Sequence, residues 1–566
     1  MTEVLGGYLV VQTLKRLGVE AIFGMPGFQL MSVYDGLCQI EGCPRHVLIH
    51  DEKCGAFMAY GYAKTSRKAG ICDATVGPGA TNLVSGIAEA FYASTPLVAM
   101  TSDVHMEYEG RSPNQECDQV SIFRPIVKRS LTVRLPERII ELTRRAFELS
   151  LGGRPGPVHL NLPENINYAP IDFDWRPQLE GLAPLEYPLT RPRPEARLVE
   201  QAVEMLRQAR RPVCIAGGGV HLSGAAEELT CLAETLGIPV ATSLSGKGAI
   251  PEDHPFCLSL CGRFDRYANR FIQQADLILA VGTKLGELVT SRWSILPPGA
   301  PIIHLDLDPG EPGRNHPARL ALVGDARSGL ADLLDAWGAA PRPYSQRQEI
   351  MAAIAKARQE WQRSVRHLTH SSELPANPAA VIRAIQEFLP PCGLLVVDGG
   401  LATHWAGLFF EVTYPGRGFL PNRGQAAIGC GFPAALGAKL ARPERTVVAL
   451  VGDGGFCQGI SELETAYRED LPVIVVVCNN SCLGYVKSLQ HTVFDRRYKS
   501  ADFTPLRFDR LARDFNCRGV RLESLAQLGD ELREAQDSGQ ATVIDVLTLP
   551  DPGRMLPQAD ARAARC

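Results

Sequence analysis

Thr446-Val-Val-Ala-Leu-Val-Gly-Asp-Gly-Gly-Phe456 and Val473-Ile-Val-Val-Val-Cys-Asn-Asn-Ser-Cys-Leu-Gly484 decide the fold of this 566-residue chain. Each begins with a near-continuous apolar run, the mark of a strand buried on both faces. Each run ends in a polar, glycine-bearing loop with a helical segment between them, so both loops open on one edge of a parallel sheet. Ligands of such sheets sit beyond the carboxyl ends of the strands, which makes Asp453 and Asn480 neighbours at one site. Singly, Asp-Gly and Asn-Asn are common turn dipeptides. Paired on adjacent buried strands, they offer the carboxylate and amide oxygens that magnesium takes together with phosphate oxygens. Gly454 and Gly455 let backbone N–H groups approach a diphosphate at the start of the next helix.

Working outward, Leu394-Leu-Val-Val-Asp398 and Thr542-Val-Ile-Asp-Val546 add buried strands to the same block, placed at 377–550. A second alternating block, 198–340, contains Arg211-Pro-Val-Cys-Ile-Ala-Gly-Gly-Gly-Val220, Ala275 to Gly282 and Pro301-Ile-Ile-His-Leu-Asp-Leu-Asp308. Its triple glycine could seat a dinucleotide, but it lacks the full Gly-x-Gly-x-x-Gly spacing and reads more simply as a tight strand-to-helix turn. The first block, 1–165, alternates helical patterns with the apolar runs at 47–49, 71–72 and 96–100. The Pro-rich stretch 166–197 and the charged stretch 341–376, with a helix expected over Ile350 to Arg366, read as linkers. Residues 551–566 read as a frayed tail or a lid. The expected fold is therefore α/β, with three doubly wound parallel-sheet domains.

With 45% hydrophobic residues, 21% charged residues and a net charge of -4, the chain lacks the basic excess of a nucleic-acid binder, and a small-molecule partner is expected. Lys15 and Arg16 interrupt the N-terminus before any long apolar stretch, against a signal peptide or a membrane span. The cytoplasm is the expected compartment, and the sixteen cysteines, scattered through apolar runs, are expected as free thiols.

Gly-Asp-Gly followed after about 24 residues by Asn-Asn resembles the fingerprint of the thiamine diphosphate enzymes, and from about residue 4 to 550 the chain is similar to their acetohydroxyacid synthase branch. The landmarks recur in order: Phe23-Gly-Met-Pro-Gly27, Glu52 before Gly55-Ala-Phe-Met-Ala-Tyr-Gly-Tyr-Ala63, Gly77-Pro-Gly-Ala-Thr-Asn82, and Gln115-Glu-Cys-Asp118 before Arg124-Pro-Ile-Val-Lys128. The resemblance implies pyrimidine-binding, central and diphosphate-binding domains, with active sites between subunits of a homodimer or homotetramer. It makes Asp453 and Asn480 metal ligands and Cys482 a ligand through its backbone carbonyl. It also implies cofactor contacts at Pro26, Glu52, Pro78, Asn82, Gln115, Ile428, Gly454, Gly455, Gly484 and Tyr485, with Ile428 bending the cofactor.

Glu52 is the catalytic residue the resemblance implies. Its carboxyl bonds the pyrimidine ring so that the cofactor's own amine can remove the thiazolium C2 proton. A 2-oxo acid, pyruvate by analogy, is then decarboxylated, and the resulting enamine is added to a second carbonyl compound. Simple decarboxylation or carbon–carbon cleavage is the alternative on the same scaffold, and a binding protein without chemistry is a third reading. Four departures set this chain apart: His50-Asp51-Glu52 for Arg-His-Glu, Leu401-Ala402 for a Gln-His pair, Lys284-Leu-Gly-Glu287 for Arg-Phe-Asp-Asp, and Leu489 for a tryptophan of the acceptor pocket. Thr403 or His404 stands in for the Gln-His pair, and the Lys284 stretch does not carry FAD over from the family. His404 fits a proton shuttle or a packing residue; His105 fits the mouth of the site or, more simply, a surface loop.

Overall fold

A computed structural model describes residues 4–338, 342 and 344–557. Eighteen strands, numbered in chain order, form three six-stranded sheets among the described residues, and every ladder is parallel. The first sheet comprises β1 (Ala21–Gly24), β2 (Arg45–Leu48), β3 (Gly70–Ala74), β4 (Leu97–Asp103), β5 (Ser130–Thr132) and β6 (Pro157–Pro163), in the order β2-β1-β3-β4-β6-β5. The second comprises β7 (Pro212–Ala216), β8 (Val240–Thr242), β9 (Cys257–Leu260), β10 (Leu277–Val281), β11 (Ile302–Asp306) and β12 (Leu320–Val323), in the order β12-β11-β10-β7-β8-β9. The third comprises β13 (Leu394–Val397), β14 (Phe419–Pro421), β15 (Val447–Gly452), β16 (Ile474–Asn479), β17 (Arg518–Arg521) and β18 (Thr542–Leu547), in the order β14-β13-β15-β16-β18-β17. The fold is the three-domain α/β arrangement expected from the apolar runs.

Register sets the site. Gly452 on β15 lies opposite Cys478 on β16, so Asp453 and Asn480 leave the sheet side by side. The third sheet reverses its strand order between β13 and β15, which opens a crevice at their carboxyl ends, and the first sheet reverses between β1 and β3. The first and third domains share one core. In it the helix Glu52–Ser66 crosses the helix Gly431–Ala441 so closely that a Cβ on Gly61 would stand 1.9 Å from the Ala434 carbonyl oxygen, and one on Gly437 1.9 Å from that of Met58. Only glycine permits that approach.

The stretches read as linkers carry structure. Residues 166–197 include the helix Arg176–Leu179 and bury Leu179 and Tyr187 against the first domain's core. The charged stretch holds a helix, Tyr344–Thr369, longer at both ends than the sequence suggested. Of the residues bounding this region, 339–341 and Pro343 lie outside the described residues, as do 558–566 of the tail. The described start of the tail packs on the third domain, where the Trp405 indole donates to the Met555 carbonyl at 2.7 Å.

Candidate active site

Two half-sites occupy two of the sheet reversals. The first surrounds Glu52, which begins its helix directly after Asp51, whose side chain caps that helix by accepting from the Lys53 N–H at 2.8 Å. Glu52 as a whole is 7% exposed. Its Oε2 accepts from the Asn82 amide at 3.0 Å, and its Oε1 points at the backbone of Gly79, where a Cβ would lie 3.0 Å away. Loops after β1 and β3 close around it. Gly27 fits against Thr75, the Thr75 hydroxyl donates to Gln29 at 3.0 Å, and the Gln29 amide donates to Gln115 at 3.4 Å. Pro26, Pro78, Asn82 and Gln115 thus form an exposed rim around Glu52, flanked by the exposed side chains of Phe28 and Met31.

The second half-site is a cavity of about 540 Å³ at the reversal between β13 and β15. Asp453 lies at its base, 5% exposed. Its Oδ1 accepts from the Gly454 N–H at 2.7 Å and its Oδ2 from the Asn480 N–H at 3.0 Å, which ties the two loops together. Burial raises the Asp453 carboxyl above its ordinary range, and the N–H groups of Gly454, Asn480, Ser481 and Cys482 act in the opposite direction. The Cys482 thiol, pushed up to about 12 by burial and then by the Asp453 charge, stays protonated and donates to the Asn480 amide oxygen at 3.3 Å. A protonated thiol is no partner for a hard cation, so Cys482 can offer only its carbonyl.

Glycine makes the cradle. A Cβ on Gly455 would lie 1.9 Å from the Asp398 carboxylate, one on Gly454 2.8 Å from the Phe503 ring and one on Gly484 2.5 Å from Leu401. Asp398, which the sequence reading took only as a strand end, is 1% exposed and accepts from the Gly429 and Gly431 N–H groups, each at 3.0 Å. That grip fixes the turn carrying Ile428, which lines the cavity. Burial lifts the Asp398 carboxyl to about 6. Glu89, also unread, is fully buried in the helix Pro78–Tyr92 and receives the N–H groups of Gly424 at 2.6 Å, Gln425 at 2.7 Å and Ala426 at 3.1 Å. It binds the first domain to the loop that leads into the cavity. The sequence signal for it was a single acid inside the apolar run Ile87 to Ala90.

The two replacements for the missing Gln-His pair part company. Thr403 is fully buried, donates its hydroxyl to the Asp398 carbonyl at 2.5 Å and does not reach the cavity wall. His404 does reach it, edge-on to Phe264 with ring centroids 5.2 Å apart and to Tyr485 at 4.9 Å. The Tyr485 hydroxyl accepts at 2.7 Å from Arg263, a central-domain residue missed in the sequence, where it follows a strand in Cys261-Gly-Arg-Phe-Asp265. Leu401 lines the cavity, whereas Leu489 does not. His105 caps a short turn through Glu107 and stacks on Tyr108. No group of three or more His, Cys, Asp or Glu side chains suited to a metal occurs among the described residues. The oxygen donors Asp453, Asn480 and the Cys482 carbonyl, beside glycine backbone, instead fit a magnesium–diphosphate pair.

None of the residues lining this cavity comes from the first 165, so Glu52 is not in its wall within one chain. No helix among the described residues is long and apolar enough to cross a membrane.

Three domain families match: thiamine pyrophosphate enzyme N-terminal TPP binding domain over residues 5–122, central domain over 199–333 and C-terminal TPP binding domain over 398–546. The chain is 34% identical to a probable acetolactate synthase large subunit of Methanocaldococcus jannaschii, covering 98% of this chain and 93% of that one. It is 34% identical to an acetolactate synthase of Mycobacterium leprae, with 97% and 88% covered. Against the acetolactate synthase isozyme 3 large subunit of Escherichia coli the identity is also 34%, with 94% and 92% covered.

Proposed function

The chain belongs to the thiamine pyrophosphate enzymes, and from that membership we propose that it decarboxylates pyruvate and joins the two-carbon remainder to a second carbonyl compound. It is a thiamine diphosphate-dependent carboligase of the acetolactate synthase type, acting on small molecules. The observation that carries this reading is its likeness to acetolactate synthases over nearly its whole length. The side-by-side exit of Asp453 and Asn480 from β15 and β16 supports it.

When bound, thiamine diphosphate supplies the electron sink that lets a 2-oxo acid lose carbon dioxide. Asp453, Asn480 and the Cys482 carbonyl would hold magnesium, and Gly454, Gly455 and Gly484 would leave room for the diphosphate. Asp398 keeps the Ile428 turn in place, and His404 and Tyr485 form the wall toward the central domain. Asn82 occupies Oε2 of Glu52, so Oε1 is the atom that would hold a proton toward the pyrimidine of a bound cofactor.

Because Glu52 is absent from the wall of the cavity that holds Asp453, a second copy supplies the missing half, and the chain works as a homodimer or a pair of such dimers. The exposed apolar side chains near both half-sites, Phe28 and Met31 on one and Phe503 on the other, support that arrangement. Fifteen free cysteines among the described residues support a reducing, cytoplasmic setting.

The test is a donor and acceptor screen. Purified protein with thiamine diphosphate and magnesium is given pyruvate with and without aldehydes and 2-oxo acids, and carbon dioxide and products are followed by mass spectrometry. A condensed product that requires the acceptor is expected; free aldehyde alone across the panel would sink carboligation.

A further inference from the structure

Between β2 and the helix Glu52–Ser66, two backbone N–H groups find their partner in another domain. Ile49 donates to the Gly24 carbonyl at 3.2 Å, Lys53 to the Asp51 side chain at 2.8 Å and Gly55 to the Asp51 carbonyl at 3.1 Å, all within the first domain. The N–H groups of His50 and Asp51 instead go to Glu462 Oε1, at 3.0 and 3.2 Å. Glu462 belongs to the third domain, where it is fully buried at the start of the helix Glu462–Arg468.

Both oxygens of this acid are engaged, since Oε2 accepts from the Thr465 hydroxyl at 2.7 Å. Burial raises the Glu462 carboxyl above its ordinary range, and the Thr465 hydroxyl and the N–H groups of His50 and Asp51 act in the opposite direction. The surrounding contacts between the two domains are of another kind. The His50 ring meets Glu464 at 2.8 Å on the surface, Arg468 pairs with the same Glu464 at 3.1 Å, and Arg45 donates to the Glu469 carbonyl at 3.0 Å. Exposed pairs of this sort contribute little each. A buried carboxylate that receives two N–H groups is the strong element of the joint.

Glu52 is the next residue of the chain. Its carboxyl is anchored at one end, where Oε2 accepts from Asn82, and the two peptide planes just ahead of it are anchored by Glu462. With side chain and backbone both held, Oε1 keeps one direction. The turn that leads into Glu462 also packs on the first turn of the Glu52 helix, where a Cβ on Gly459 would lie 3.2 Å from the Cys54 sulfur.

We propose that Glu462 is a positioning residue for Glu52: by accepting the N–H groups of residues 50 and 51 it sets where the helix Glu52–Ser66 begins and so the direction of Glu52 Oε1. The assignment rests on the role given to Glu52 above. Glu462 does not line the reaction cavity, so it acts through the backbone ahead of Glu52. Without its carboxylate, the two N–H groups must turn toward other acceptors, which rotates the peptide planes directly before the acid. A displacement of about 1 Å at a reacting group costs on the order of a hundredfold in rate. Glutamine is a milder change. Its amide oxygen can accept both N–H groups, and its own N–H can donate to the Thr465 hydroxyl oxygen.

The experiment uses the full-length protein in two states. In cofactor-free wild type, amide hydrogen exchange of peptides spanning residues 49–53, read by mass spectrometry, should show His50 and Asp51 protected, and Glu462→Ala should remove that protection. Exchange at the rate of an open loop in wild type would overturn the proposal without any variant. In protein loaded with thiamine diphosphate and magnesium, C2 proton exchange per bound cofactor, followed by NMR, should fall about tenfold or more in Glu462→Ala and about threefold in Glu462→Gln. Cofactor Kd should stay within about threefold of wild type, because the Asp453 cradle is intact. A merely structural role would instead lower the thermal midpoint and the cofactor affinity and leave exchange per bound cofactor unchanged, which would overturn the proposal. In a Glu52→Gln background, Glu462→Ala should slow C2 exchange no further; the same loss in both backgrounds would show that Glu462 does not act through Glu52. Should Glu462→Ala fail to fold, the cycle is read with Glu462→Gln, and wild-type exchange in that variant would be the refuting result. Failure of wild type to take up thiamine diphosphate would count against the proposed activity, and the amide protection would still test the grip on residues 50 and 51.

Discussion

Replacing Glu89 by glutamine separates the role of charge from that of shape at the joint between the first and third domains. Glu89 Oε2 receives Gln425 and Ala426, and Oε1 receives Gly424. A glutamine oxygen in the place of Oε2 can keep two of these bonds, but its amide then presents N–H to the N–H of Gly424. The site is fully buried, so water does not rescue the unpaired group. One charge-assisted bond lost and two weakened should cost about 2–3 kcal/mol, and Glu89→Ala more. For a unit of 150–250 residues this is a fall of roughly 5–10 °C in the thermal midpoint. Because the released loop leads to Ile428, activity should fall by roughly tenfold to a hundredfold with a raised KM for thiamine diphosphate. The assay is differential scanning fluorimetry beside cofactor titrations of turnover. A variant that melts within about 1 °C of wild type with an unchanged KM would refute the role given to this acid.

Asp453→Ala and Asn480→Ala should each weaken magnesium-dependent uptake of thiamine diphosphate by about tenfold to a hundredfold while leaving far-ultraviolet circular dichroism unchanged, as read by calorimetry and spectroscopy. Glu52→Gln should keep cofactor binding but slow C2 proton exchange, followed by NMR, and turnover by about a hundredfold or more; exchange equal to wild type would remove Glu52 from the mechanism. Asp398 carries a pH signature. Its carboxyl rises on folding from 3.8 to about 6, so its contribution is fully present below the unfolded value and is lost as pH climbs through about 6. Two pKa units correspond to about 3 kcal/mol, so the stability margin of wild type over Asp398→Asn should shrink by about that much between pH 4 and pH 7 in denaturant titrations; a margin independent of pH would contradict the raised carboxyl.

The strands of the third domain were legible because their apolar runs are nearly unbroken, and two such runs ending in Asp453 and Asn480 leave one arrangement for the loops. Side-chain direction near a helix start was not legible. Gly400 enters the helix Leu401–Phe409 with φ +73, which turns Thr403 back to the Asp398 carbonyl and leaves His404 facing the cavity. Periodicity cannot separate such neighbours. Glu89 and Asp398 were passed over because their partners are backbone N–H groups hundreds or tens of residues away, and backbone carries no motif. Arg263 was missed because it meets Tyr485 only after the central and third domains pack.

The most direct test of the central claim, that Glu52 of one chain serves Asp453 and Asn480 of another, is to mix two inactive variants. Glu52→Gln and Asp453→Ala proteins are unfolded together, refolded as a mixture and assayed for pyruvate consumption. If the site lies between chains, half the dimers are hybrids with one intact site each, and the mixture should recover about one quarter of wild-type activity. If each site is built within one chain, every site carries a defect, and a mixture no more active than its parents would contradict the account.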